Sequence, residues 1–159
     1  MILPILGASA VAAVVLFVGG FATRIGPWYY ELRKPSWNPP NWVFGPMWTG
    51  IAILAVWSAS HAWVVAPDAH TRIVALFGIN AVFHMAWSPL FFALRRPDWA
   101  LLEVPFLWLS VLALIVGLAP LSMLSAALLT PYLAWVGVAA FLNLTIVRLN
   151  PPFGGTRAA

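Results

Sequence analysis

The chain has no cysteine, which excludes disulfides, thiolate metal sites and cysteine nucleophiles. Charge is scarce as well: 8% of the 159 residues are Asp, Glu, Lys or Arg, against about 25% in soluble domains. Eight basic and four acidic side chains cannot cover a soluble fold of this size. Catalytic signatures are lacking too. There is no HExxH, no glycine-rich phosphate loop, no carboxylate pair within one apolar run and no Ser-His-Asp set in register. The three histidines, His61, His70 and His84, form no metal-ligand spacing. The residues themselves therefore give no independent support for an enzyme. No internal repeat is visible, which counts against transporters built from duplicated halves.

What the chain has is apolar length. The AVILMFWYC set makes up 63% of it, where about 45–50% is usual. Runs of about 18–23 residues recur, each long enough to cross the hydrocarbon as a helix. They fall at about 2–23, 43–65, 72–94, 99–117 and 121–148. The expectation is an all-α integral membrane protein, a five-transmembrane-helix bundle occupying 1–159 as one domain. The first run lacks the basic start and short core of a cleaved signal peptide, so it reads as a retained span. Breakers agree with these limits: Pro67-Asp68, Arg95-Arg96-Pro97-Asp98, Gly117 to Pro120, and a closing Pro151-Pro152 with Gly154-Gly155. The connection 24–42 holds Pro27, Pro35, Pro39 and Pro40. A loop of that length without regular structure reads as a lid or binding element.

With five spans, the first loop, third loop and C-terminus share one side. That side carries Arg24, Arg33, Lys34, Arg95, Arg96, Arg148 and Arg157, and the other only Arg72. The positive-inside bias then puts the C-terminus in the cytoplasm and the N-terminus outside, if the membrane is a bacterial inner membrane. In an outer membrane the asymmetry holds and the compartment names change. The net charge of +4 is explained by orientation, with no nucleic-acid partner needed.

Trp28, Trp63 and Trp99 lie at span ends and fit an interfacial belt. Other tryptophans lie deeper. Tyr132, Trp135, Ala139 and Asn143 share one helical face, as do Asn80, His84, Trp87 and Phe91. Two readings stand. The stripes could face one another around a pocket with flat apolar walls, suited to a planar hydrophobic ligand. Alternatively they are helix–helix packing, with Asn and His as interhelical hydrogen bonds. Glu103 lies about 6 Å inside its span at 1.5 Å per residue, so it is either a headgroup-reaching carboxylate or a proton carrier. His84 reads first as a core hydrogen-bonding residue and second as a ligand for haem iron. Gly78 and Ala81 are small enough for close contact between helices of two protomers.

The stretch Lys34-Pro35-Ser36-Trp37-Asn38-Pro39-Pro40-Asn41-Trp42-Val43-Phe44-Gly45-Pro46-Met47-Trp48-Thr49 closely resembles the signature of the TspO/MBR family. The run His84-Met85-Ala86-Trp87-Ser88-Pro89-Leu90-Phe91-Phe92 resembles the family's Asn-x-x-Trp-x-x-x-Phe-Phe pattern. Pro131-Tyr132-Leu133-Ala134-Trp135, with Ala139, Asn143, Arg148 and Asn150, resembles its last helix. The resemblance implies a five-helix homodimer binding protoporphyrin IX and haem as ligands, with no cofactor required. In some members it also implies binding of sterols and benzodiazepine-like compounds.

By motif position, Trp37, Trp42, Phe44 and Trp48 would form the lid and upper wall of the site. His84, Trp87 and Phe91 would come from the third span, and Tyr132, Trp135, Ala139 and Asn143 from the fifth. Trp48 and Trp135 match the two tryptophans implicated in light-dependent porphyrin breakdown. Two departures stand out. His84 occupies a position that is usually Asn, and Leu144 replaces the tyrosine of a proposed sterol motif ending at Arg148. Sterol therefore ranks below porphyrin. The expected role is a tetrapyrrole receptor or carrier in stress-linked regulation or transport. The alternatives are a porphyrin-degrading photoenzyme, a proton-coupled transporter using Glu103, or a structural assembly subunit.

Overall fold

The computed structural model describes residues 2–153. Arg157 and the Gly154-Gly155 tail lie outside the described residues. Five segments are long and apolar enough to cross a membrane: Ile2–Ala22, Asn41–Val65, Pro67–Ala93, Pro97–Leu118 and Met123–Leu149. No strand occurs among the described residues.

The first span is one helix, α1 (Ile2–Ala22). It ends where the Thr23 hydroxyl folds back and donates to the Gly19 carbonyl at 2.7 Å. The first loop is not structureless, because Pro27 starts a short helix, α2 (Pro27–Glu31). A proline costs nothing at a first helical position, where no intrahelical acceptor awaits its missing N–H. Pro39-Pro40 then precede α3 (Asn41–Val65), which begins two residues earlier than the sequence reading placed it.

A 3₁₀ turn at Pro67–Ala69 leads into α4 (His70–Ser88). His70 is thus helical, and its ring stacks on Trp63 with centroids 3.6 Å apart. The span does not run on as an α-helix to residue 94. Pro89 offers no N–H to the preceding turn, and the chain widens into a π-helical turn over Pro89–Ala93. Its mark is the bond from the Leu94 N–H to the Pro89 carbonyl, 2.9 Å. Next comes α5 (Pro97–Leu118), with Asp98 in its first turn accepting from the Arg96 Nε at 2.8 Å.

The last span, read as one helix from 121, is two. A short α6 (Met123–Ala127) precedes α7 (Thr130–Leu149). Pro131 marks the break: in the first turn of α7 it has no N–H for the Ala127 carbonyl, which accepts from the Thr130 hydroxyl at 2.8 Å instead, and contacts from α3 accompany it. Ser58 Oγ donates to the Ser125 carbonyl at 2.8 Å, and His61 Nδ1 lies 3.1 Å from Ser122 Oγ and 3.2 Å from Ser125 Oγ.

Helix α1 packs against α3 and α4, α5 packs against α4 and α7, and α6 joins α3 to α5. Val104, Leu107, Val111, Leu114 and Leu118 are buried along α5 at alternating three- and four-residue spacing, which defines one seam. Close approach is built in: a Cβ on Gly117 would stand 2.6 Å from Leu76 Cδ1. The first loop is pinned to the end of α7, where Arg33 N–H donates to Asn150 Oδ1 and Asn150 Nδ2 returns a bond to the Arg33 carbonyl, both at 2.8 Å. Lys34 donates to the Leu32 carbonyl at 3.1 Å and sits over the Tyr29 ring. Burial pulls its ammonium below the usual lysine range. The first loop and the C-terminal end of α7 therefore share one end of the bundle.

Candidate functional site

Two cavities open inside the bundle. One, of about 420 Å³, lies beneath the first loop and takes wall residues from α1, α2, α3, α4, the π turn, α5 and α7. The other, of about 640 Å³, lies between α1, α3 and α4 towards the opposite end. Both fall within the volume range of small-molecule sites, roughly 300–1,000 Å³. Trp48 and His84 belong to both walls, so these two rings stand at the junction. Their centroids are 4.7 Å apart.

Most of the residues singled out in the sequence meet here. Phe44, Trp48, His84, Trp87, Phe91, Ala139 and Asn143 all line the loop-side cavity. Tyr132 lines the other one. The π turn matters to this arrangement, since it lets the adjacent Phe91 and Phe92 both face the cavity, with Phe92 also packing on Tyr29 at 5.6 Å. Burial raises the Tyr29 phenol above its ordinary value.

Three residues are placed elsewhere. Trp135 stands behind the wall, edge-on to Phe44 at 5.8 Å and to Trp48 at 6.5 Å, with its indole N–H buried and unpaired. Trp37 stacks on Phe141 at 5.2 Å on the outside of α7, and Trp42 is 74% exposed. Neither of the latter two lines either of these cavities. Asn143, although on the wall, has its amide engaged. It donates to the Pro97 carbonyl at 3.0 Å and accepts from the Leu101 N–H at 3.1 Å, fixing the start of α5 against α7.

The sequence reading placed the first span but not its part in the cavity wall. Val15, Leu16, Gly19 and Gly20 form part of the loop-side wall, but a helix with no polar residue in these turns gives no periodic signal. Gly78 and Ala81, read as contacts between protomers, line the second cavity. Trp28 is half-buried with its ring edge towards Phe91 at 6.2 Å. Among the described residues no group of three His, Asp or Glu could hold a metal ion.

Polar groups cross the bundle in one chain. Ser110 Oγ donates to the Leu107 carbonyl at 2.7 Å, and Asn80 Nδ2 donates to Ser110 Oγ at 2.9 Å. Tyr132 OH donates to Asn80 Oδ1 at 3.3 Å and lies 2.7 Å from His84 Nδ1. This links α5, α4 and α7. Further along the α4–α5 seam, both carboxylate oxygens of Glu103 and the Trp87 indole N–H are buried without partners.

The TspO/MBR family profile matches residues 8–149, from early in α1 to the last residue of α7. The chain belongs to the TspO/MBR family. Among its relatives, the tryptophan-rich protein TspO of Chlorobaculum tepidum is 36% identical over 82% of this chain and 85% of that one. Protein CrtK of Rhodobacter capsulatus is 38% identical, covering 79% and 80%. The human translocator protein is 33% identical, covering 89% and 83%. The TspO/MBR match takes in every cavity residue named above, and it establishes a multi-pass membrane protein of this family.

Proposed function

We propose that the protein is a membrane receptor or carrier for tetrapyrroles, protoporphyrin IX and haem, held in the loop-side cavity. One observation carries the reading. Six Phe, Tyr and Trp rings, Tyr29, Phe44, Trp48, Trp87, Phe91 and Phe92, line a cavity of about 420 Å³ that presents few polar groups. Such walls suit a planar, largely apolar ligand whose charged substituents reach towards the loop end. The basic residues Arg24, Arg33 and Lys34 in the first loop supply charge complementary to propionates. The name of the human relative, translocator protein, supports transport as the use of such binding.

The test is equilibrium titration of the detergent-purified protein with protoporphyrin IX, followed by tryptophan quenching with free tryptophan as the inner-filter control. Gly19 is the informative position, because a Cβ there would stand 3.8 Å from Ser88 Oγ, in ordinary contact. Gly19→Leu should fold as well as the parent and fill the cavity. Saturable binding in the wild type, lost in Gly19→Leu and weakened in Trp48→Phe, is the expected result. Unsaturable quenching in the wild type, or unchanged affinity in both variants, would overturn the assignment.

A second reading, proton-coupled transport, draws on Glu103, whose carboxylate is buried without a partner. An intramembrane carboxylate of this kind carries protons in many pumps. Glu103→Gln should then abolish gradient-driven flux in liposomes while sparing binding; normal flux in that variant removes the role.

A further inference from the structure

The polar chain across the bundle fixes more than packing, because each member has a limited supply of protons. Ser110 Oγ has one, and it is committed to the Leu107 carbonyl at 2.7 Å, since a carbonyl can only accept. Ser110 must therefore accept from Asn80 at 2.9 Å, which places the Asn80 amide nitrogen on that side. Asn80 Oδ1 then faces Tyr132, and the phenol proton is its donor at 3.3 Å. With that proton used, the Tyr132 oxygen can only accept from His84 Nδ1 at 2.7 Å. The reverse arrangement would set two acceptor oxygens, of Tyr132 and Asn80, face to face with no proton between them.

His84 is thereby held as the Nδ1–H tautomer. Its other nitrogen, Nε2, carries a free lone pair, and no hydrogen-bond partner meets it among the described residues. The ring that bears it stands at the junction of the two cavities, beside Trp48. A histidine whose Nδ1–H is anchored by an outer hydrogen bond while Nε2 faces an open space has the arrangement of a metal ligand, in which the anchored proton sets both tautomer and orientation. Among the described residues no cluster of further ligands surrounds it. It therefore suits a metal that arrives with its other ligands already in place, one that lacks only an axial donor.

We infer that His84 is an axial iron ligand that lets the protein distinguish haem from metal-free protoporphyrin, with Tyr132 as its positioning residue through Nδ1. The inference rests on the tetrapyrrole reading of the cavity and names the form of ligand that the site selects. The bond forms by donation of the Nε2 lone pair to iron. No proton leaves and no electron is transferred.

The experiment compares haem with protoporphyrin IX on the purified full chain, in the wild type, His84→Asn and Tyr132→Phe. Loss of an outer hydrogen bond to a ligating histidine costs about tenfold in metal affinity, and loss of the ligand costs at least as much. His84→Asn should therefore weaken haem by about tenfold more than it weakens protoporphyrin IX, whose loss measures the ring's share of the cavity wall alone. Tyr132→Phe should retain ligation with haem affinity reduced by about tenfold.

The wild type supplies a readout independent of any variant's folding: an iron–histidine stretch in the resonance Raman spectrum of the ferrous complex, shifted by ¹⁵N-labelled histidine. Equal losses for both porphyrins in His84→Asn would overturn the inference and leave the cavity reading standing. So would saturable porphyrin binding with no iron–histidine signal. If the wild type takes up neither porphyrin saturably, the tetrapyrrole reading falls first and the inference falls with it.

Discussion

Arg95 has φ of 55°, in the left-handed region, and it is the one non-glycine residue with positive φ among those described. It closes the π turn and lets the Arg96 N–H reach back to the Leu90 carbonyl at 3.0 Å. An L side chain in that conformation costs roughly 1–2 kcal/mol. Arg95→Gly should therefore raise stability by about 1 kcal/mol, read as a higher unfolding temperature in detergent. A lower temperature would mean that the charge at the membrane surface outweighs the backbone strain. At this scale the sequence was partly legible. Helical spacing placed His84, Trp87 and Phe91 on one face, and all three reach the cavity wall. The same spacing put Trp135 with Tyr132 and Ala139, yet the rings of Phe44 and Trp48 stand before it. Which ring stands in front depends on helices distant in sequence, and no periodicity within one helix encodes it.

Proline and glycine marked nearly every turn of the bundle, so the elements were legible to within a few residues. The exceptions have distinct causes. Pro89 signalled a kink but not its form, because the widened turn depends on Leu94 finding the Pro89 carbonyl. The break between α6 and α7 had a signal, Pro131, that the reading of one continuous span passed over, and Ser58 and His61 of α3 hold the short helix from outside. The π turn makes a prediction of its own. In Pro89→Ala the missing N–H returns, a regular α-helical turn becomes available and Phe91 and Phe92 rotate relative to the cavity. Porphyrin affinity should fall severalfold with far-UV circular dichroism unchanged. Unchanged affinity would show that the aromatic wall does not depend on the widened turn.

For the molecule as a whole, the charge asymmetry predicts an orientation that the absence of cysteine makes simple to test. Asp68, in the 3₁₀ turn, and Ser36, in the first loop, are exposed at opposite ends of the bundle. In a bacterial inner membrane an impermeant maleimide should label Asp68→Cys on intact spheroplasts, and Ser36→Cys only after lysis. The reverse pattern would invert the assignment. The composition made the membrane class and the five spans legible, but it left the second cavity unseen, because that space is bounded by small residues such as Gly7, Ala12, Ala52 and Ala55 that look like ordinary packing. Both cavities share α1 as a wall, and only Val15 and Ala22 of that helix are buried. A single layer of helix thus divides the bound ligand from the acyl chains. For a guest that dissolves in those chains, the relevant abundance is its mole fraction in the lipid, so diluting the bilayer with empty vesicles starves the site even when the amount in the tube is unchanged.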